Sequence, residues 1–231
     1  MIINSQITKK TSGGEELPKI SYGFRGSSAS NAYLASENGD ELAELNSTYW
    51  FGKMRKNGAN LSINLSTASK WRICLKVKVH ALSTGGGSLV FFSNDSNIYK
   101  SPSPELSKDG QWWGVGFNTG SGTSSWSNWI SVSASNMPLD TWYYLVVSWH
   151  NGKGGLFLYD NNGNLIDSGF VSVGAWGNHT FTPVLGGAQT SYWWHIHQGD
   201  ISLSETFIQI DDNYVWGQAN SKTQNMGLIT N

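Results

Sequence analysis

Between Gln189 and Asp200 the sequence reads QTSYWWHIHQGD, which places Tyr192, Trp193, Trp194, His195 and His197 within six positions. Flat rings stack on the apolar C–H faces of sugars, while imidazole, amide and carboxylate edges hydrogen-bond the hydroxyls. His195 and His197 are two apart, so on an extended segment both imidazoles leave the same face, as a metal pair requires. A third ligand would come from Asp200, His179 or His150 through folding. Two histidines on one strand face are more often stacked rings with hydrogen bonds than zinc ligands. Oxygen ligands of the kind calcium takes occur in FSNDSN, at Asn94, Asp95 and Asn97. Asp160 and Asn162 in YDNNGN read instead as hairpin chemistry.

Three further aromatic clusters carry the same chemistry: GQWWGVG with Trp112 and Trp113, SGTSSWSNWIS with Trp126 and Trp129, and GAWGNHT with Trp176 and His179. Adjacent residues of a strand point to opposite faces, so one of Trp112 and Trp113 belongs to the core and the other to the surface. The same holds for Trp193 and Trp194. Trp129 begins a strand that reads inward at Ile130 or outward at Trp129, and the period leaves both open.

Hydrolytic chemistry has weaker support. Cleavage of a glycosidic bond needs two carboxylates facing each other across it, as an E-x-D-x-E strand would provide, and no such pattern occurs. Asp200 and Glu205 are five apart and face opposite sides of an ideal strand. Asp211 and Asp212 fall in a turn, where Asp serves the backbone. No Gly-x-Ser-x-Gly elbow is present, and Cys74 lies inside a strand.

The elements that must position these groups are short. Among 231 residues there are 27 Gly, 12 Trp and only 5 Pro, with 13% charged residues and a formal net charge of −1. The balanced charge argues against nucleic acid as a partner, since no basic excess exists to displace counterions from phosphates. A single cysteine excludes an internal disulfide framework. The start, MIINSQITKKTSGGEELPK, lacks the apolar run of a signal peptide, and no stretch approaches a membrane span. No membrane insertion is expected, and an extracellular role implies another exit route, such as release by lysis within a virus particle.

Residues 1–45 show no sustained period and read as an N-terminal arm for attachment or oligomerisation, of which 1–12 look separable from the body. ENGDELAELN fits either a short helix capped by Asp40, with Leu42 and Leu45 on one face, or an ordered loop over a sheet edge. From Trp50 onward short strands dominate. In WRICLKVKVH, Trp71, Ile73, Leu75, Val77 and Val79 face one side, and Arg72, Lys76, Lys78 and His80 the other, a half-buried antiparallel strand. SLVFFS, WWGVGFNTG, NWISVS, TWYYLVVSWH, GLFLYD, NLIDSGFVSV, FTPVLGG, GDISLSETFIQIDD and NYVWG follow, with turns every 8 to 12 residues. The expectation is an all-β antiparallel sandwich over 46–217, followed by a polar tail at 218–231.

TWYYLVVSWHNGKGGLFLYDNNGNLIDSG resembles the signature stretch of laminin-G-like, concanavalin-A-like domains. WRICLKVKVH and PVLGGAQTSYWWHIHQGDISLSETFIQID resemble the flanking segments of that family in order and spacing. The resemblance covers roughly Trp50 to Trp216 and implies a jelly-roll sandwich. It places Trp71, Trp142 and Trp149 in family-like strands, hence in the core. The closing ISLSETFIQIDDNYVW also resembles versions of the domain on phage tail and virion-surface proteins. In the family's closing segment one aromatic ring before the Gly is ordinary packing. The surplus, with Trp126, Trp129 and Trp176, is read as a carbohydrate-recognition surface comprising Trp126, Trp129, Trp176, Tyr192, Trp193, Trp194, His195 and His197.

The functional expectation is a non-catalytic, lectin-like domain on a virion surface or outside the cell. It would adhere to a cell-surface glycan or polysaccharide as a homo-oligomer or many-copy assembly with virion proteins. No cofactor is expected, calcium being the one open candidate. The rival readings are a structural assembly protein whose aromatic patches are protein interfaces, and a polysaccharide-cleaving enzyme.

Overall fold

A computed structural model describes residues 21–24, 40–46, 51–82, 89–90, 92–94, 102–107, 109–117, 128–174, 180–185 and 200–230. Within them every regular element is a strand and every ladder is antiparallel. In chain order these are β1 (Ser21–Phe24), β2 (Asp40–Asn46), β3 (Phe51–Lys56), β4 (Ala59–Asn60), β5 (Ile63–Asn64) and β6 (Lys70–Ala81). There follow β7 (Leu89–Val90), β8 (Phe92–Asn94), β9 (Glu105–Leu106), β10 (Trp112–Gly116), β11 (Trp129–Ser133) and β12 (Trp142–His150). The last six are β13 (Lys153–Asp160), β14 (Leu165–Ser172), β15 (Thr180–Phe181), β16 (Pro183–Leu185), β17 (Asp200–Ile210) and β18 (Asn213–Trp216).

One layer is a seven-stranded sheet in the order β1-β17-β6-β12-β13-β14, with β18 paired to the far end of β17. Against it lie a four-stranded sheet, β11-β10-β9-β7, a five-stranded sheet, β2-β3-β16-β8 with β4 on β3, and the pair β15-β5. Strands distant in sequence are neighbours: β17 sits between β1 and β6. The alternation of β6 drives the layering. Trp71, Ile73, Leu75, Val77 and Val79 are all buried and meet Trp113 and Val115 of β10, Ile130 and Val132 of β11, and Leu185 of β16 in one core. Tyr143, Leu145, Val147 and Trp149 of β12 join the same cluster. The result is the expected antiparallel β-sandwich.

The opposite face of β6 is not open to solvent as a half-buried strand would be. Arg72 and Cys74 are buried there, because residues after β18 lie across the sheet. Met226 packs with Cys74, Tyr144, Val146, Phe157 and Phe207, flanked by Ala219 and Ile229, to form a second apolar layer outside the sheet. Gly227 N–H donates to the Tyr159 hydroxyl at 2.9 Å, and His150 Nδ1–H donates to the Ile229 carbonyl at 2.8 Å.

Two expectations are corrected. Within ENGDELAELN, Asp40–Asn46 is a strand paired to β3 and not a helix, with Leu42 opposite Met54 and Leu45 opposite Gly52. The spacing of three that suggested a helical face spans a register shift in this ladder, where a bulge replaces the strict period of two. Trp142 is not in the main core. It is seven residues from the inward Trp149, so strand parity turns it to the outer face, where it is half-buried. The Lys78 and Lys76 ammonium groups stand 4.7 Å and 5.6 Å from its ring centre.

Candidate functional site

The four-stranded sheet carries two neighbouring indoles on its outer face. In β10 the odd residues Trp113 and Val115 point inward and are fully buried, which turns Trp112, Gly114 and Gly116 outward. β11 pairs Gly116 with Trp129, Gly114 with Ser131, and Trp112 with Ser133. Ile130 and Val132 are therefore inward, and Trp129 is outward and 38% exposed. Trp129 resolves the ambiguity of its strand in favour of the surface, and Trp112 is the surface member of its pair.

The two outward indoles meet over Gly114. Their ring centres are 5.6 Å apart at an interplanar angle of 86°, an edge-to-face pair. A Cβ on Gly114 would lie 2.1 Å from Trp129 Cζ2 and 2.8 Å from Trp112 Cζ3, so only glycine lets both rings lie on the strand. Beside the rings, Ser131 and Ser133 are exposed, and Ser133 and Ser135 hydroxyls are 3.0 Å apart. Asp167 on β14 fixes this edge by accepting the Ser133 N–H at 2.8 Å. An apolar ring surface beside hydroxyls suits a ligand with one C–H face and several hydroxyl groups. The cluster GQWWGVG was a candidate from sequence, with either Trp112 or Trp113 at the surface, while Gly114 was missed, although WWGVG, with Trp112, Gly114 and Gly116 on one face, is a readable signal.

Of the other expected site residues, Trp126, Trp176, Tyr192, Trp193, Trp194, His195 and His197 lie outside the described residues. So do Asp95 and Asn97, while Asn94 ends β8 opposite Pro183. Among the described residues no three His, Cys, Asp or Glu side chains are grouped to hold a metal ion.

Three of the described carboxylates, Asp160, Asp211 and Glu205, are engaged in structure. Asp160 Oδ1 accepts the N–H groups of Asn162 and Asn164, and Asn164 Nδ2 donates to Oδ2, each at 2.8 Å. The Asn164 side-chain and backbone bonds hold the Asp160 carboxyl below its ordinary value. Asp211 Oδ1 accepts from the Ser69 hydroxyl at 2.6 Å, the Ser69 N–H at 2.8 Å and the Lys70 N–H at 3.2 Å. These contacts, the Ser69 hydroxyl foremost, lower its pKa. Glu205 is bound by Lys76, Tyr144 and Asn220.

No family model matches the sequence, and no curated protein matches it. Among solved structures the chain is similar to the botulinum neurotoxin serotype C1 binding domain, with 12% identity and a TM-score of 0.48, over 88% of this chain and 49% of that one. It is also similar to the binding domain of botulinum neurotoxin DC in complex with SialylT, with 12% identity and a TM-score of 0.45, over 90% of this chain and 45% of that one. The chain thus spans about half the length of the structures it matches.

Proposed function

We propose that this chain is a non-catalytic, lectin-like surface domain that binds a glycan through the Trp112–Trp129 platform. The observation that carries the reading is the pair of outward indoles seated on Gly114 beside the exposed hydroxyls of Ser131 and Ser133. Tyr192, Trp193, Trp194, His195, His197, Trp126 and Trp176 are included in the proposed recognition set on their residue types alone. Stacking and a few wet hydrogen bonds give affinities of roughly micromolar to millimolar per site, so useful adhesion comes from many copies on one particle. The resemblance of ISLSETFIQIDDNYVW to virion-surface domains supports a setting on a phage virion or tail fibre that contacts the host surface.

The test is affinity electrophoresis through a panel of bacterial polysaccharides and envelope extracts, with and without calcium. Trp129→Ala and Trp193→Ala variants run beside the unchanged protein. Retention that Trp129→Ala abolishes supports the reading. Equal retention of all three proteins removes these residues from it, and reducing-end release would favour an enzyme.

A specific observation favours a second reading, a structural assembly protein. On β14, the last strand of its sheet, Leu165, Ile166 and Phe170 are 54%, 48% and 47% exposed. Such an apolar edge suits a protein interface. Concentration-dependent association that Ile166→Lys abolishes, in the absence of any polysaccharide retention, would favour it.

A further inference from the structure

The segment after β18 does not seal the outer face of the seven-stranded sheet completely. A cavity of about 340 Å³ remains between that segment and β17, β6 and β12. Arg72, Ser148 and Gln209 line its sheet side, and Lys70, Gln224 and Asn225 also border it. This is the size of a small-ligand site. It lies in the opposite layer of the sandwich from Trp129, and the inference does not rest on the glycan reading.

Two cations, Lys70 and Arg72, and two carboxylates, Asp211 and Asp212, border the cavity, and Arg72 is the cation that contacts no carboxylate. Arg72 is 5% exposed. Its Nε–H donates to Gln209 Oε1 at 2.7 Å, its Nη1–H donates to the Met226 carbonyl at 2.8 Å, and its guanidinium carbon is 5.1 Å from the Phe207 ring centre. All three partners are neutral. Lys70 pairs with Asp212, Lys76 with Glu205 and His80 with Asp140, and Arg72 joins none of these pairs. Of the two carboxylates bordering the cavity, Asp212 pairs with Lys70, and Asp211 is held by the Ser69 hydroxyl and by the Ser69 and Lys70 N–H groups. A guanidinium has five N–H donors, and a buried charge without a counter-ion is costly.

A second observation lies beside it. Ser148 is the cross-strand partner of Arg72 and shares its face. Its hydroxyl is buried, with the residue 3% exposed, and has no hydrogen-bond partner. Buried polar groups are ordinarily paired. A cationic fork and an unpaired hydroxyl on one face of one cavity are what a carboxylate would complete.

We propose that this cavity binds a monocarboxylate of about monosaccharide size, with Arg72 as its charge partner and Ser148 as an added hydrogen-bond donor. The single guanidinium without an ion pair offers its fork to one carboxylate. Gln224 and Asn225 offer amides to ligand hydroxyls, and Leu228 and Ile229 supply an apolar wall. A free sugar acid and the acidic terminus of a polysaccharide share this chemistry.

The experiment is titration of the full chain with glucuronate, followed by heteronuclear NMR and calorimetry. Glucose, methyl glucuronate ester and inorganic sulfate serve as controls, and a glucuronate-terminated oligosaccharide separates the bound-glycan source from the free acid. Glucuronate is expected to bind at least about tenfold tighter than glucose, the ester or sulfate, a difference readily resolved at millimolar affinity. The amides of Ser148, Gln209 and Gly227 should shift. Arg72→Gln should abolish binding, Ser148→Val should weaken it severalfold, and Leu139→Ala, at an exposed residue outside the cavity, should leave it unchanged. No glucuronate binding, equal binding of the ester or sulfate, or shifts confined to other surfaces would overturn the proposal, as would a folded Arg72→Gln variant with unchanged affinity. If Arg72→Gln does not fold, the comparison of acid with ester on the unchanged protein decides.

Discussion

The Lys76 ammonium donates to Glu205 Oε1 at 2.8 Å across two neighbouring strands, with both side chains only 14% exposed. Glu205 sits where the β17 ladder slips against β6, and its φ of 45° is the left-handed backbone of a bulge. The bulge delivers its carboxylate to the outer face, where Oε2 also accepts from the Tyr144 hydroxyl at 2.9 Å and Asn220 Nδ2 at 3.3 Å. Asn220 belongs to the segment that crosses the sheet, so this carboxylate ties β6, β12, β17 and that segment together.

Burial pushes the Glu205 carboxyl up, but the hydrogen bonds from Lys76, Tyr144 and Asn220 and the Lys76 charge outweigh it, and the net shift is downward. A depressed folded-state pKa contributes stability above the unfolded-state value, lost as pH falls through the folded-state value. Glu205→Gln leaves the Lys76 ammonium without its partner and is expected to cost about 2–4 kcal/mol at pH 7. Urea denaturation from pH 7 to pH 3 should show the gap between the two proteins narrowing on the acid side. A gap independent of pH would deny the ion pair its role.

Gly114→Ala separates platform geometry from fold. The added methyl collides with both indoles, whose far edges can swing outward because Trp129 is a surface residue. Stability should fall by about 1 kcal/mol or less, as for a change that the surface absorbs. Retention on a polysaccharide that the unchanged protein binds should drop at least about tenfold, comparable to losing one well-placed aromatic contact. Affinity electrophoresis beside a thermal melt reads both. A normal melt with normal retention would remove the platform from the binding surface.

How far the sequence discloses this molecule depends on which period governs each stretch. β6 alternates strictly, so the inward Trp71 follows from parity; in β10 and β11 parity fixes only that neighbours face opposite ways, and the burial of Trp113 and Ile130 makes the choice. The same parity turns Trp142 outward, but a family-like strand lined with aromatics on both faces conceals it. β2 misled because its ladder contains a bulge, and a bulge mimics a helical spacing over three residues. The burial of Arg72 had no local signal at all. It depends on Met226 and Ile229 returning across the sheet more than 150 positions later, and a stretch rich in Asn, Gln and Gly does not advertise that its few apolar residues cover an outer face.

Cys74 is fully buried, and burial pushes its thiol up to about 12, against a smaller opposing influence from the Arg72 charge. Since the thiolate is the reactive form, the native protein should be inert to thiol reagents at pH 8. Labelling should appear only as the chain unfolds, with a rate that follows opening of the outer layer. Mass spectrometry of iodoacetamide-treated samples across a urea series measures this. Full labelling within minutes in the absence of denaturant would show that the segment over the sheet is not held as described.

Gly227 tests that closure directly. Its φ of 67° lies in the left-handed region, and a Cβ there would approach Val146 Cγ1 to 2.3 Å. Its N–H is also the donor to the Tyr159 hydroxyl. Gly227→Ala therefore combines backbone strain with overpacking against a buried strand residue, for an expected cost of about 2–4 kcal/mol. The loss falls on the outer layer first: Met226 should lift from Phe157 and Phe207, and Cys74 should become reactive to iodoacetamide at urea concentrations below the global transition. The main core cluster of Trp71, Trp113 and Leu145 includes no residue of this segment, so near-ultraviolet dichroism from the buried indoles should persist until that transition. Simultaneous loss of both signals would mean that the two layers unfold as one unit, with the C-terminal segment required for the sandwich itself.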